Sequence, residues 1–208
     1  MENPPSKHCA AAAQRVLRAA AELFSVHGYD AVSMSAIAEQ AQVSKANIFH
    51  HFKSKNALYY EVLRSACADA AQVLDAIEQV SGDVRERLLH YARARLCGYL
   101  DHPQATRMVL RELTHERSEP EARLVREDFG RSFARLVALI RSGQDAGKLR
   151  TDVNPAALAL LVNAGNILYA QLRPALTRFA DVDFAEDPER FSALMMDILL
   201  RGAAASPG

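Results

Sequence analysis

Apolar residues recur along this chain at three- and four-residue steps. Val16, Ala20, Leu23 and Phe24 form one such stripe, and Leu136, Leu139 and Ile140 another, which is the repeat of an α-helix with one buried face. No alternating strand pattern competes with it. Chain breakers then divide the pattern into about nine helices, an all-α fold. The first is predicted over about residues 14–27 and stops at Gly28, a residue suited to the left-handed conformation that ends helices. A short second helix over about 35–41 follows Ser33, and a third begins after Ser44, whose hydroxyl can cap the orphan amides of the next turn. The fourth is long, from near Ser54 to about Val80, with Gly82 behind it. A fifth covers about 84–100 and a sixth opens at Pro103. Ser118-Glu119-Pro120-Glu121 reads as a capping box with proline near the first turn of a seventh. Asn154-Pro155 and Asp187-Pro188 repeat the cap-then-proline signal for the last two. The ends, residues 1–11 and 202–208, are small, polar or Pro-containing and are expected to fray.

With 208 residues, half of them apolar, the chain can bury a full core. No apolar run approaches the ~20 residues of a membrane span, and residues 1–13 lack the layout of a secretory signal. The expectation is an intracellular, soluble protein with no membrane partner. Cys9, Cys67 and Cys97 are odd in number and widely spaced, with no CxxC pair, which argues against a disulfide framework and a zinc site and fits a reducing cytoplasm. No cofactor is expected. GxSxG, P-loop, HExxH and dinucleotide glycine motifs are all missing, so an enzyme on a helical scaffold is a weak reading.

The formal net charge is zero, yet nucleic-acid binding depends on where charge lies. No acid occurs between Glu39 and Glu61, whereas Lys45, Lys53, Lys55, His50 and His51 all fall there. In the same stretch Ile37, Ala38, Val43, Ile48 and Phe52 are spaced to seal two short helices against the first, leaving the outer face of the second free. This is helix-turn-helix patterning, in which the second helix offers its N-terminal residues to base edges in the major groove. Lys45 strengthens the reading. A cation in the first turn of a helix opposes the macrodipole, and a local rule broken without structural reward tends to mark function.

The run from Phe24 to Leu58, FSVHGYDAVSMSAIAEQAQVSKANIFHHFKSKNAL, resembles the DNA-binding domain of the TetR family of regulators. It shares the Gly-aromatic helix end (Gly28-Tyr29), a hydroxyl-bearing entry to the second helix, the Ile-Ala pair, a Val-Ser recognition turn, an aromatic-His-aromatic close and a lysine opening the fourth helix. The resemblance implies a three-helix DNA-binding domain over residues 12–56 and a larger helical ligand-binding and dimerisation domain over 57–203. It also implies that Ser33 and Ser35 touch phosphate, and that Ser44, Lys45, Ala46 and Asn47 present the recognition helix. Asn47 is the candidate for bidentate reading of adenine. His50 and His51 match positions that reach backbone or bases, one of them packing against the fourth helix. Lys55 matches a phosphate clamp. Two departures stand out. Phe49 replaces a tyrosine whose hydroxyl bonds phosphate, so it is expected only to pack, and Gln42 replaces a common glycine in the turn.

The implied partners are double-stranded operator DNA, a second copy of the chain held through the last two helices, and an unidentified small-molecule effector. The effector releases the protein from a palindromic site by shifting the fourth helix. Residues 156–172 and 191–200 suit the dimer seam, being apolar on more than one face. Tyr99, Met108, Arg111, Glu112, His115, Phe129 and Phe133 mix aromatic, soft and ionisable groups in the manner of a small-molecule cavity, although such a stripe also suits plain core. Asn163 and Asn166 stand one turn apart in an apolar run, with Tyr169 a further turn along. Two readings are open for the amides, a pocket lining or the dimer seam, and the seam is slightly favoured. Cys67 and Cys97 raise a redox sensor, against the usual reading of inert thiols. A helical small-molecule carrier or adaptor is the competing function.

Overall fold

The computed structural model describes residues 7–79, 82–114 and 120–203. Among these, nine α-helices follow in order: α1 (Lys7–Ala31), α2 (Met34–Ala41), α3 (Lys45–His51), α4 (Lys55–Glu78), α5 (Val84–Asp101), α6 (Pro103–Thr114), α7 (Pro120–Asp145), α8 (Pro155–Leu176) and α9 (Pro188–Ala203). The all-α reading and the helix count hold.

Local chemistry sets most of the boundaries. The Ser33, Ser44 and Ser54 hydroxyls accept the amides of Ala36, Asn47 and Ala57 at 3.0–3.1 Å. Asn154 accepts Ala156 N at 2.9 Å at the head of α8, and Asp187 accepts Arg190 N at 2.9 Å at the head of α9. One capping box escaped the sequence reading: Asp83 caps α5 while the Glu86 carboxylate accepts the Asp83 amide. Of the box expected before α7, Ser118 and Glu119 lie outside the described residues. The first helix differs from expectation at its start: it already runs from Lys7, so residues 7–11 are helical. Its expected break at Gly28 is present (φ +81°, ψ 168°), and a further helical stretch follows to Ala31.

The chain forms two compact units: residues up to Cys67 with Gln104–Glu127, and Ala68–Pro103 with the chain from Asp128 onward. The core of the first gathers Val16, Ala20 and Phe24 of α1, Ile37 and Ala38 of α2, Ile48 of α3, Leu58 and Leu63 of α4, and Met108 of α6. Phe24, Tyr29 and Tyr59 pack as an aromatic trio with centroids 5.2–5.8 Å apart. The second unit has one core around Leu88, Leu136, Ile140, Leu158, Val162 and Met196, and another around Leu96, Tyr99 and Tyr169. There Phe191 of α9 stacks on Tyr169 of α8 at 4.1 Å.

Helix α8 bears on one expectation. Among the described residues it is the one helix long and apolar enough by composition to cross a membrane. Its packing supplies another use for that apolarity, since α5 and α9 both contact it. Leu158, Ala159, Val162, Asn166 and Tyr169 face inward, whereas Leu160, Leu161, Leu168 and Leu172 stand exposed.

Candidate functional site

The sequence from Ser33 to Phe52 folds as a tight helix–turn–helix because each end is closed by its own residues. Helix α2 ends in a left-handed Gln42 (φ 54°, ψ 47°), whose amide donates to Glu39 O at 3.1 Å while the Val43 amide donates to Ala38 O at 3.0 Å. This paired closure normally employs glycine. Gln42 is the only non-glycine residue with positive φ among the described residues. Its backbone angle thus permits the substitution noted in the sequence, at a local conformational cost of about 1–2 kcal/mol.

Helix α3 is anchored by Ile48, fully buried, and by Phe52 just beyond its end. Ser33, Ser35, Ser44, Lys45, Ala46 and His50 all stand exposed. The capping serines use oxygen lone pairs on backbone amides, which leaves their hydroxyl protons to donate. His51 is half-buried, edge-on to His50 at 5.1 Å and beside Phe52, so it is the histidine of the pair that packs.

Three residues depart from expectation. Phe49 does not simply pack: it is 45% exposed on the outer side of α3, because the inward position of this short helix is already taken by Ile48. Asn47 is half-buried, and its Oδ1 is turned inward without a partner among the described residues. In this rotamer only the amide NH2 edge can face a base, and bidentate reading requires the side chain to swing out. Lys55 is half-buried and its ammonium is committed internally. Nζ donates to Tyr29 O at 2.9 Å and Val32 O at 3.0 Å, with Asp30 O at 3.5 Å, and lies 4.2 Å from the Tyr29 ring centroid. The three protons of an ammonium are matched by three carbonyls at the end of α1.

The residues expected to bind a ligand divide between the two units. Met108 is fully buried in the core of the first unit, and Arg111 on the same helix is half-buried. Glu112, 1% exposed, accepts a hydrogen bond from the Tyr59 hydroxyl at 3.3 Å in that unit. In the second unit Phe129 is 42% exposed and stacks on Phe133 at 6.1 Å, so Phe129 belongs to the surface of α7. His115 lies outside the described residues. Cys67 is buried in the first unit and Cys97 exposed in the second, and neither forms a disulfide.

Tyr99 and Asn166, by contrast, do come together in a polar layer where α5 packs on α8. Asn163 Oδ1 accepts from the hydroxyls of Tyr91 at 3.0 Å and Tyr99 at 3.3 Å, and its Nδ2 donates to Ala159 O. Asn166, with no exposure, donates from Nδ2 to Ala92 O at 2.8 Å. The slight preference for a dimer seam therefore fails for both amides, which turn inward to α5. Arg95, 7% exposed, completes the layer with its guanidinium 4.4 Å from the Tyr99 ring centroid. Burial pushes the Tyr91 phenol up to about 12, so it stays a neutral hydroxyl. The sequence reading missed Tyr91 and Arg95. The available signal was their spacing: Tyr91, Arg95 and Tyr99 recur every four residues on the same face as Leu88, Ala92 and Leu96.

Comparison with known proteins matches two stretches of the chain. Residues 16–62 match the family model described as bacterial regulatory proteins, tetR family, and residues 85–203 match a tetracyclin repressor-like C-terminal domain. The HTH-type transcriptional regulator RutR of Escherichia coli is 30% identical over 173 residues, covering 81% of this chain and 78% of its own. The HTH-type transcriptional repressor NicS of Pseudomonas putida is 24% identical, covering 90% of each. Among solved structures, the ketosteroid transcriptional regulator KstR2 of Mycobacterium tuberculosis superposes with a TM-score of 0.76 at 18% identity, covering 93% of this chain and 95% of that one, a likeness of fold.

Proposed function

Because this chain belongs to the TetR family of helix-turn-helix transcriptional regulators, we propose that it represses transcription as a dimer on a near-palindromic operator and is released by a small molecule. The observation that carries the reading is the outer face of α3. Lys45, Ala46, Phe49 and His50 are exposed together there, in a stretch without a single acid, while Ile48 fixes the helix from beneath.

On this reading Lys45 and His50 neutralise or hydrogen-bond phosphate, with Ser33, Ser35 and Ser44 donating from their hydroxyls. Ala46 and Phe49 offer apolar contact to sugar or to a thymine methyl. Asn47 swings out to read a base, and the move is inexpensive because its carbonyl gives up no partner among the described residues. Lys55 takes no part in the grip.

The dimer forms through α8 and α9. Leu160, Leu161, Leu168 and Leu172 on α8, with Leu194 and Ile198 on α9, are each 43–70% exposed, an apolar surface that a monomer would leave in water. Pairing of two copies sets the recognition helices for half-sites about one DNA turn (~34 Å) apart. The effector enters the second unit at the α5–α8 polar layer, and α4, whose residues continue from one unit into the other, carries a coupling of roughly 1–3 kcal/mol. The protein acts in the cytoplasm, where operator and small molecule are both present.

A mobility-shift assay on DNA upstream of the protein's own gene tests the function. Binding that weakens steeply with salt and is weakened in Lys45→Ala and Asn47→Ala is expected. Binding indifferent to both changes, or none to any DNA offered in a genomic selection, overturns it.

A further inference from the structure

We infer that Arg95 is the anchor for the carboxylate of a small organic acid, which names the chemical class of effector taken by the α5–α8 layer and rests on the ligand-responsive reading above. A guanidinium is charged at any physiological pH, and burying it is costly unless an opposite charge comes with it. Arg95 is 7% exposed, and among the described residues no carboxylate forms an ion pair with it. Asp69 acts on it only through space.

The groups against the cation are phenols. Tyr91 and Tyr99 flank it one helical turn away on either side, and both phenol protons are directed to Asn163 Oδ1. Tyr91 keeps its proton far above neutral pH. Among the described residues the layer therefore holds one positive charge without an ion-pair partner. Arg95 Nε is buried and has no hydrogen-bond acceptor among the described residues. The Nε–H and the neighbouring Nη–H form the edge that grips a carboxylate through two parallel hydrogen bonds, so the unpaired atom belongs to the half of the fork an acid would use.

Asn166 adds a second element of recognition. Its Nδ2 is tied to Ala92 O, one turn before Arg95, while its Oδ1 is fully buried and lacks a donor among the described residues. A ligand N–H or O–H would satisfy it. The Tyr99 ring beside the guanidinium supplies an apolar wall. The expected effector is a compact acid carrying an apolar body and a hydrogen-bond donor.

The test uses the full-length protein and reads binding without DNA, so failure of operator recognition and failure of this site are told apart. Acetate, octanoate, benzoate and 4-hydroxybenzoate are each compared with the corresponding amide, and with inorganic phosphate, at constant ionic strength, by thermal melting and calorimetry. At least one acid is expected to raise the melting temperature by several degrees where its amide does not. Arg95→Met should weaken that acid at least tenfold, while the free variant melts no lower than the parent because a lone buried charge is gone. Should Arg95→Met not fold, as judged by circular dichroism, Arg95→Lys keeps the charge without the fork and should also bind at least tenfold more weakly. The proposal is overturned if no acid outperforms its amide, if phosphate acts as strongly as the acids, or if the folded Arg95 variant binds as the parent does.

Discussion

Lys55 donates its ammonium to the backbone carbonyl of Tyr29 at 2.9 Å while lying 4.2 Å from the centre of the same residue's ring. A side chain at the head of α4 thus closes the end of α1, twenty-six residues earlier in the chain. Helix ends leave carbonyls without partners, and a cation suits them both as donor and as charge. Lys55→Ala should cost about 2 kcal/mol of stability, the scale of charge-assisted hydrogen bonds, measured by urea denaturation. The same variant should leave the salt dependence of DNA binding unchanged. A slope that falls as it does for a phosphate-binding lysine would return Lys55 to the grip.

Lys45 supplies the contrasting case. It is exposed in the first turn of α3 with no internal partner among the described residues. Lys45→Ala should weaken operator binding with little change in stability, and should lower the slope of log K against log salt by about 0.9 per half-site.

Asn47 should behave differently from both. Asn47→Ala is expected to cost about 1–3 kcal/mol per half-site and to relax preference at one base pair, read by binding to an operator series with that pair varied. Uniform weakening across the series would assign it to the backbone.

Gln42 holds a left-handed conformation at φ 54° in the helix turn. Glycine adopts it without a clash, at some loss of entropy relative to the unfolded chain. Gln42→Gly should therefore stabilise the protein by about 0.5–1 kcal/mol, seen as a higher denaturation midpoint with an unchanged m-value.

The exposed apolar faces of α8 and α9 predict assembly. Leu168→Glu with Ile198→Glu, residues 59% and 70% exposed, should yield a monomer in sedimentation and abolish tight operator binding while leaving helicity intact.

Tyr91 predicts a dependence at high pH. Its phenol is raised from 10.0 to about 12, chiefly by burial, with Tyr99 adding to the effect. The unfolded chain gives up this proton first, so the associated stability is fully present below pH 10 and is lost as pH rises from 10 through 12. Absorbance titration of the phenolates should show a late ionisation that Tyr91→Phe removes.

Much of this protein is written locally. The helix boundaries at Ser33, Ser44, Ser54, Asn154 and Asp187 were legible because a cap is a bond between residues two or three apart. The recognition helix was legible for the same reason: an acid-free run and a sealed apolar face are properties of consecutive residues. Its individual side chains were less so, since Ile48 claims the inward direction of α3 and leaves Phe49 outside.

The sequence by itself determined an all-helical chain, its breaks and its reading head. Only the tertiary structure decided what the polar residues do once buried. Lys55 meets carbonyls twenty-three to twenty-six residues away, Asn166 meets Ala92 seventy-four residues away, and Tyr91 meets Asn163 seventy-two away. Periodicity places a residue on a face, but whether a charge there is paired depends on the helix packed against it. For Arg95 that helix brings the amides of Asn163 and Asn166, among the described residues no carboxylate pairs with it, and the unpaired charge exists only in the folded molecule.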